Sequence, residues 1–270
     1  MITVCVVGLG QIGGSFAAAL TRRRLARVVG VTRKAATARR ARRLGLLAEA
    51  GTDLAAAGEA DVVVLATPVR TLLGQIPDVA GLVRSGAILT DVGSTKHDIL
   101  RALKAAARPD VEVVAGHPMA GNERAGLDGV DAKLFENRPW VLIGDRRGAA
   151  RLERLVRGVG ARPVWMSDAL DHDFKVARVS HVPYLLAYAL MGTEEEAIRV
   201  SGNSFRDATR VALSDPDMVL DFLLTNPGPI AEAARRLSGR LRGLVTRLEA
   251  GDIRGLRRTL EKARARRSRL

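Results

Sequence analysis

At 270 residues, with 47% hydrophobic side chains and a mean hydropathy of +0.05, the chain has enough apolar material for a real core and is no disordered segment. No apolar run reaches the roughly 18 residues of a membrane span, and Met1 to Val7 has neither a charged start nor a small-residue cleavage site, so a cytoplasmic protein without anchor or signal peptide is expected. The formal net charge is +14; of the 43 basic residues six are lysine and the other 37 arginine, and with aromatics at 3% this reads as solvated surface rather than a base-stacking nucleic-acid face. The lone Cys5 excludes an internal disulfide and a cysteine metal cage.

Residues 2–7 form a short β-branched run, predicted as a buried strand, and lead into a helix over 11–24. Strand is predicted again over 28–31, helix over 35–44, and strand over 61–66, which Thr67-Pro68 closes. A strand over 87–91, a helix over 96–107 and strands over 111–115, 140–143 and 162–165 follow. This alternation predicts a parallel sheet covered on both faces. After Met166 the pattern changes. Ser167-Asp168 reads as a helix cap, and apolar residues recur at helical spacing through 174–191, 218–224, 230–248 and 253–265, with Pro216, Pro227 and Pro229 at helix starts. Two domains are expected, 1–166 and an all-helical 167–270.

The first strand runs directly into Gly8-Leu9-Gly10-Gln11-Ile12-Gly13 and then a helix, the G-x-G-x-x-G dinucleotide fingerprint in the context it requires. Gly8 permits the tight turn, Gly10 lets the backbone approach a pyrophosphate, Gly13 lets helix and sheet pack closely, and the first turn at Gln11 and Ile12 offers free N–H groups to phosphate. At the end of the second strand an NAD site usually carries an acid for the ribose hydroxyl. Here the chain reads Thr32-Arg33-Lys34, with Thr37 just beyond. A hydroxyl and two cations suit a 2′-phosphate, so NADP is expected over NAD.

Ligands of such sheets sit beyond the carboxyl ends of the strands. Thr67-Pro68 is expected to wall the nicotinamide pocket. The loop from Thr90 to Lys96 and the segment Gly116-His117-Pro118-Met119-Ala120-Gly121-Asn122-Glu123 are the other polar loops at that edge. His117, boxed between Gly116 and Pro118, is placed to take a proton from a substrate hydroxyl while the nicotinamide takes hydride. Asn122 and Glu123 either line the pocket or fasten the loop. In the helical part, Arg206 and Arg210 lie four apart, and one of them can grip a substrate carboxylate as a fork. His172, in an Asp-His-Asp run, reads equally as a helix-start residue and a pocket residue.

The segments GLGQIGGS, TDVGSTK, GHPMAGNE, HDFKVARVSHVPYLLA and SFRDATR occur in this order. The set resembles the prephenate/arogenate dehydrogenase family of tyrosine biosynthesis, and Thr32-Arg33 is similar to its NADP-using branch. The resemblance implies a Rossmann α/β dinucleotide-binding domain followed by an all-α dimerisation domain, a homodimer, and metal-free oxidative decarboxylation of prephenate, arogenate or both. It implies that His117 polarises or deprotonates the ring hydroxyl, that Ser94 hydrogen-bonds near that hydroxyl and the nicotinamide, that Arg210 binds a substrate carboxylate, and that His181 lines the pocket. Ser204 departs from the family's usual glycine before the Phe of SFRDATR. The competing expectations are an NADP-dependent dehydrogenase of another hydroxy acid, or a non-catalytic dinucleotide sensor or nucleic-acid module.

Overall fold

The computed structural model describes residues 1–122 and 124–269. The first part runs β1 (Thr3–Val7), α1 (Gln11–Arg22), β2 (Arg27–Val31), α2 (Ala35–Arg43), β3 (Glu49–Gly51), β4 (Val62–Leu65), α3 (Val69–Leu82), β5 (Ile88–Asp91), α4 (His97–Ala106), β6 (Glu112–Pro118), β7 (Pro139–Gly144), α5 (Ala150–Gly158) and β8 (Arg162–Trp165). The strands form one eight-stranded sheet in the order β3-β2-β1-β4-β5-β6-β7-β8. β1 and β4 are central and are apolar on both faces, as a doubly covered sheet demands. Because side chains alternate across a strand, Val4 and Val6 join one core with Phe16, Leu20 and Trp140, while Cys5 and Val7 join another with Leu72, Ile76 and Leu103.

One pairing departs from the expected parallel sheet: β7 pairs antiparallel with β6, with His117 opposite Val141, and β8, parallel to β7, is reversed with it. Parallel pairing needs a crossover across the sheet face, and the segment between β6 and β7 holds only a short 3₁₀ turn, Gly126–Gly129. That segment instead lies over the start of α1. Gln11 Nε2 donates to Asn122 Oδ1 at 2.6 Å, the Asp131 N–H donates to Ser15 Oγ at 3.0 Å, and Arg40 pairs with Asp128 at 2.5 Å. β3, α3 and α5 also lie outside the expected elements. In α3 the helical spacing of Val69, Leu72, Ile76, Val79 and Ala80 is real and buried, but Gly74, Pro77 and Gly81 dilute its sequence signal.

The second part is helical: α6 (Ala169–Val176), a single π turn (Ala177–His181), α7 (Val182–Leu190), α8 (Glu195–Ile198), α9 (Asn203–Thr209), α10 (Pro216–Thr225), α11 (Pro227–Glu249) and α12 (Ile253–Arg267). Asp168 caps α6 as expected, accepting from the Leu170 and Asp171 N–H groups, and Pro216 and Pro227 open α10 and α11. Among the described residues no helix is long and apolar enough to cross a membrane. A small core of Ala177, Val182, Val219, Phe222, Ile230 and Ala233 holds this part together.

Contacts with the sheet edge include two at α10. Asp221 of α10 accepts from Val69 N and, at 3.0 Å, from Arg70 N, capping α3 from outside its own segment. Thr95 Oγ1 donates to Thr225 Oγ1 at 3.1 Å. Replacing Asp221 by Ala leaves the two N–H groups of α3 without their acceptor. A loss of about 0.5–2 kcal/mol is expected in chemical denaturation, as for other helix caps; an unchanged midpoint would refute the capping role.

Candidate functional site

The glycine loop has the shape of a phosphate cradle. Gly8 sits at φ +106, where a Cβ would come within 2.6 Å of the Ala66 carbonyl carbon, and a Cβ on Gly13 would run into the Gly8 carbonyl oxygen. A Cβ on Gly10 would meet nothing within 4 Å, so open space faces its backbone. No side chain caps the start of α1 among the described residues. Uncapped N–H groups facing open space at a helix N-terminus fit a dinucleotide pyrophosphate. Gln11 and Ile12, half-buried, form that first turn.

Thr32 is half-buried at the end of β2, Arg33 and Lys34 are exposed, and Thr37 is half-buried in α2. On the other side of the cradle, Thr67 Oγ1 donates to Gln75 Oε1 at 2.8 Å and Pro68 lies exposed at the start of α3.

Beyond β5 and β6 lies a buried polar cluster. Asp91 and Lys96, both fully buried, form an ion pair, and Lys96 Nζ also donates to the Gly116 carbonyl at 2.7 Å. Asp91 accepts from Gly116 N at 3.0 Å and Gly93 N at 2.7 Å. Burial pushes the Asp91 carboxyl up and the Lys96 ammonium down, and each charge counters the shift in the other. Gly116 is thus held at both its N–H and its carbonyl, and His117 follows it directly.

His117 is 8% exposed. Its Nδ1 lies 3.0 Å from His172 Nε2, and His172 Nδ1 lies 2.8 Å from Asp173 Oδ1. Burial, and then the neighbouring His172, Lys96 and His181, hold His117 well below the ordinary histidine range. His181, in the π turn, stacks on Phe222 with ring centroids 4.4 Å apart, and its Nδ1 lies 3.4 Å from Asn226 Nδ2. Its Nε2 is buried without a hydrogen-bond partner among the described residues. Burial pushes His181 down to about 4, with Asp173 opposing and His172 reinforcing the shift.

The structure therefore gathers His117 and His181 into one buried cluster together with His172, which the sequence left open between helix start and pocket, and adds Asp173 and Asn226, to which the sequence assigned no role. The available signal was the adjacency of an acid to His172, a pairing that only the fold aims at His117. Ser94 is half-buried in the loop between Asp91 and Lys96. Arg210 follows α9 and is exposed, as are Arg206 and Ser204. Asn122 fastens its loop, its amide accepting from Gln11 Nε2 and Arg124 N and donating to the Gly129 carbonyl, which favours the loop-fastening one of its two expected roles. Glu123 lies outside the described residues.

A phosphate cradle on a doubly wound sheet, with buried imidazoles beyond the strand ends and a helical domain closing over them, defines an NAD(P)-dependent dehydrogenase. Residues 16–164 match the prephenate dehydrogenase nucleotide-binding domain and residues 168–262 the prephenate dehydrogenase dimerization domain, and the chain belongs to that family. It is an oxidoreductase, of a family acting in aromatic amino acid biosynthesis. It is 32% identical to the cyclohexadienyl dehydrogenase of Zymomonas mobilis, over 92% of this chain and 89% of that one. It is 31% identical to the prephenate dehydrogenase of Bacillus subtilis, over 85% of this chain, and spans only 66% of that protein's length. Among solved structures, prephenate dehydrogenase from A. aeolicus in complex with hydroxyphenyl propionate and NAD+ superposes with a TM-score of 0.90 at 29% identity, covering 100% and 98% of the two chains. Synechocystis arogenate dehydrogenase superposes with a TM-score of 0.84 at 29% identity, covering 99% of each.

The A. aeolicus complex overturns the expectation of NADP, because the dinucleotide held by that fold is NAD+. The basic pair was over-read for a physical reason. In a chain with 43 basic residues, exposed Arg and Lys are common, and both side chains are exposed here.

Buried neutral histidines make stability depend on pH. The unfolded chain protonates His181 below about 6.5, whereas the fold does so only below about 4. Between these values the unfolded state binds more protons, so stability falls as pH drops through that window, by up to about 3 kcal/mol for this residue. Urea midpoints measured from pH 7 to 4 should fall, and less so in His181→Gln; equal slopes in the two proteins would refute the assignment.

Proposed function

We propose that this protein is a prephenate and/or arogenate dehydrogenase that uses NAD, works as a homodimer, and divides at residue 166 into a dinucleotide domain and a substrate and dimerisation domain. The observation that carries the reading is His117, buried, held neutral and pinned through Gly116 at the carboxyl end of β6. Bound NAD+ supplies the hydride acceptor. In the reaction the ring carbon bearing the hydroxyl loses hydride while His117 takes the hydroxyl proton, the ring carboxylate leaves as CO₂ with its bonding electron pair passing into the ring, and the ring oxygen takes the proton back from His117 as the aromatic phenol forms.

Each residue has a physical task. Gly8, Gly10, Gly13 and the first turn at Gln11 and Ile12 hold the pyrophosphate by backbone N–H groups. Thr32 and Thr37 flank the adenosine ribose, and Thr67 and Pro68 wall the nicotinamide. His117 accepts the hydroxyl hydrogen, and as a neutral imidazole it has a lone pair to do so. Ser94, on the neighbouring loop, hydrogen-bonds the same hydroxyl. Arg210 binds a substrate carboxylate, and the unpartnered buried Nε2 of His181 is a polar contact for substrate from the helical domain. The homodimer is supported by exposed apolar side chains on the helical part, among them Val200, Leu213, Leu248, Ile253 and Leu260.

The test follows nicotinamide reduction with prephenate and with arogenate, each with NAD and with NADP. Turnover with NAD and at least one substrate is expected; silence with both substrates sinks the reading. His117→Asn should lower kcat by about 10²–10⁴-fold with KM little changed, and near wild-type turnover would remove His117 as the base. Arg33→Ala should leave NAD kinetics largely unchanged; a large rise in KM for NAD would show that the exposed guanidinium holds cofactor after all.

A further inference from the structure

We propose that His172 and Asp173 are positioning residues that lock His117 in the tautomer with its proton on Nδ1, leaving Nε2 as the bare acceptor. The inference deepens the proposed function and rests on His117 being the proton acceptor. The direction of the chain is set by donors that cannot be reversed. Asp173 Oδ1 takes the Lys96 backbone N–H at 2.7 Å, and Oδ2 takes the His97 backbone N–H at 2.9 Å. Both carboxylate oxygens therefore act as acceptors. The same Oδ1 is 2.8 Å from His172 Nδ1, so that nitrogen must carry the hydrogen. A neutral imidazole has one N–H, so His172 Nε2 is a lone pair. It faces His117 Nδ1 at 3.0 Å, which must then donate. His117 Nε2 is left without hydrogen.

The fold builds this arrangement with one short helix. α4 has no cap of its own, and Asp173 supplies it from α6. Asn226 fixes the Asp173 carbonyl at 2.9 Å. His172 and Asp173 are 1% and 2% exposed, so water does not compete for these bonds. The groups facing His117 are His172 from α6, Lys96 from the loop before α4, and His181 from the π turn, with Asp91 one residue away through Gly116 N.

The test has one arm that needs no turnover. In ¹⁵N spectra of histidine-labelled wild-type protein, assigned with His117→Asn, His117 should show a protonated Nδ1 and a bare Nε2. In His172→Leu the Nδ1–H loses its acceptor and the tautomers should mix. In His172→Gln, whose amide oxygen can reach the position of Nε2, the wild-type pattern should return. With substrate, His172→Leu should lower kcat by about 10²-fold, the lower end of what a positioned base contributes, with KM nearly unchanged, and His172→Gln should recover most of the loss. A protonated Nε2 on wild-type His117 overturns the proposal even if the enzyme turns over well. Equal kcat in the Leu and Gln variants, with His117 unchanged in both spectra, overturns it too. If wild-type protein reduces no nicotinamide with either substrate, the functional reading fails, and the spectra still decide the relay. If the Leu variant does not fold, the wild-type and Gln spectra decide it.

Discussion

Lys96 is the junction on which the site depends. Its side chain is fully buried against Asp91 and the Gly116 carbonyl, and its backbone N–H is held by Asp173 of the helical part. One residue therefore ties β5 to β6 through its charge and ties the sheet edge to α6 through its main chain. Taking one partner from a buried ion pair costs about 3–5 kcal/mol, because the other charge is left unmatched in a poor solvent. The pair is thus a strict constraint on register: with Gly116 caught at both its donor and its acceptor, His117 has little freedom left. The fixed placement of His117 comes from a neighbour's hydrogen bonds.

The same burial sets the chemistry. Removing water from the cluster disfavours charge on the imidazoles, and His117 stays neutral where a solvated histidine would be partly protonated. Lys96, the nearest fixed cation, adds to that effect while its own charge is matched by Asp91. The helical domain takes part in this directly. It contributes His172, Asp173, His181 and Asn226, and its Asp221 caps the start of α3. The cluster exists only at the seam of the two parts, so packing across that seam and the protonation state of His117 are one problem.

How far the sequence is legible varies by element, for physical reasons. The central strands were plain because burial on both faces leaves an uninterrupted β-branched run, as in residues 62–65. The cap at Asp168 and the prolines opening α10 and α11 are local signals and were read correctly. α3 was hidden by Gly74 and Pro77, whose low helix propensity is overridden by burial of Leu72, Ile76 and Val79 against the sheet. The reversal of β7 depends on where a long loop lies, which no short pattern encodes. Thr32-Arg33-Lys34 misled because charge type alone does not say whether side chains converge on a ligand.

The sequence by itself determined the dinucleotide cradle, the two-part architecture and the loop that carries His117. Each of these is a local demand: a positive φ at Gly8, open backbone at Gly10, strand periodicity giving way to helical periodicity. Only the tertiary structure decided that His172 and Asp173 stand behind His117, that Lys96 is buried, and that Asn122 bonds across its own loop. Those facts concern residues far apart in the chain, and hydrogen-bond direction and burial are properties of the packed space between them.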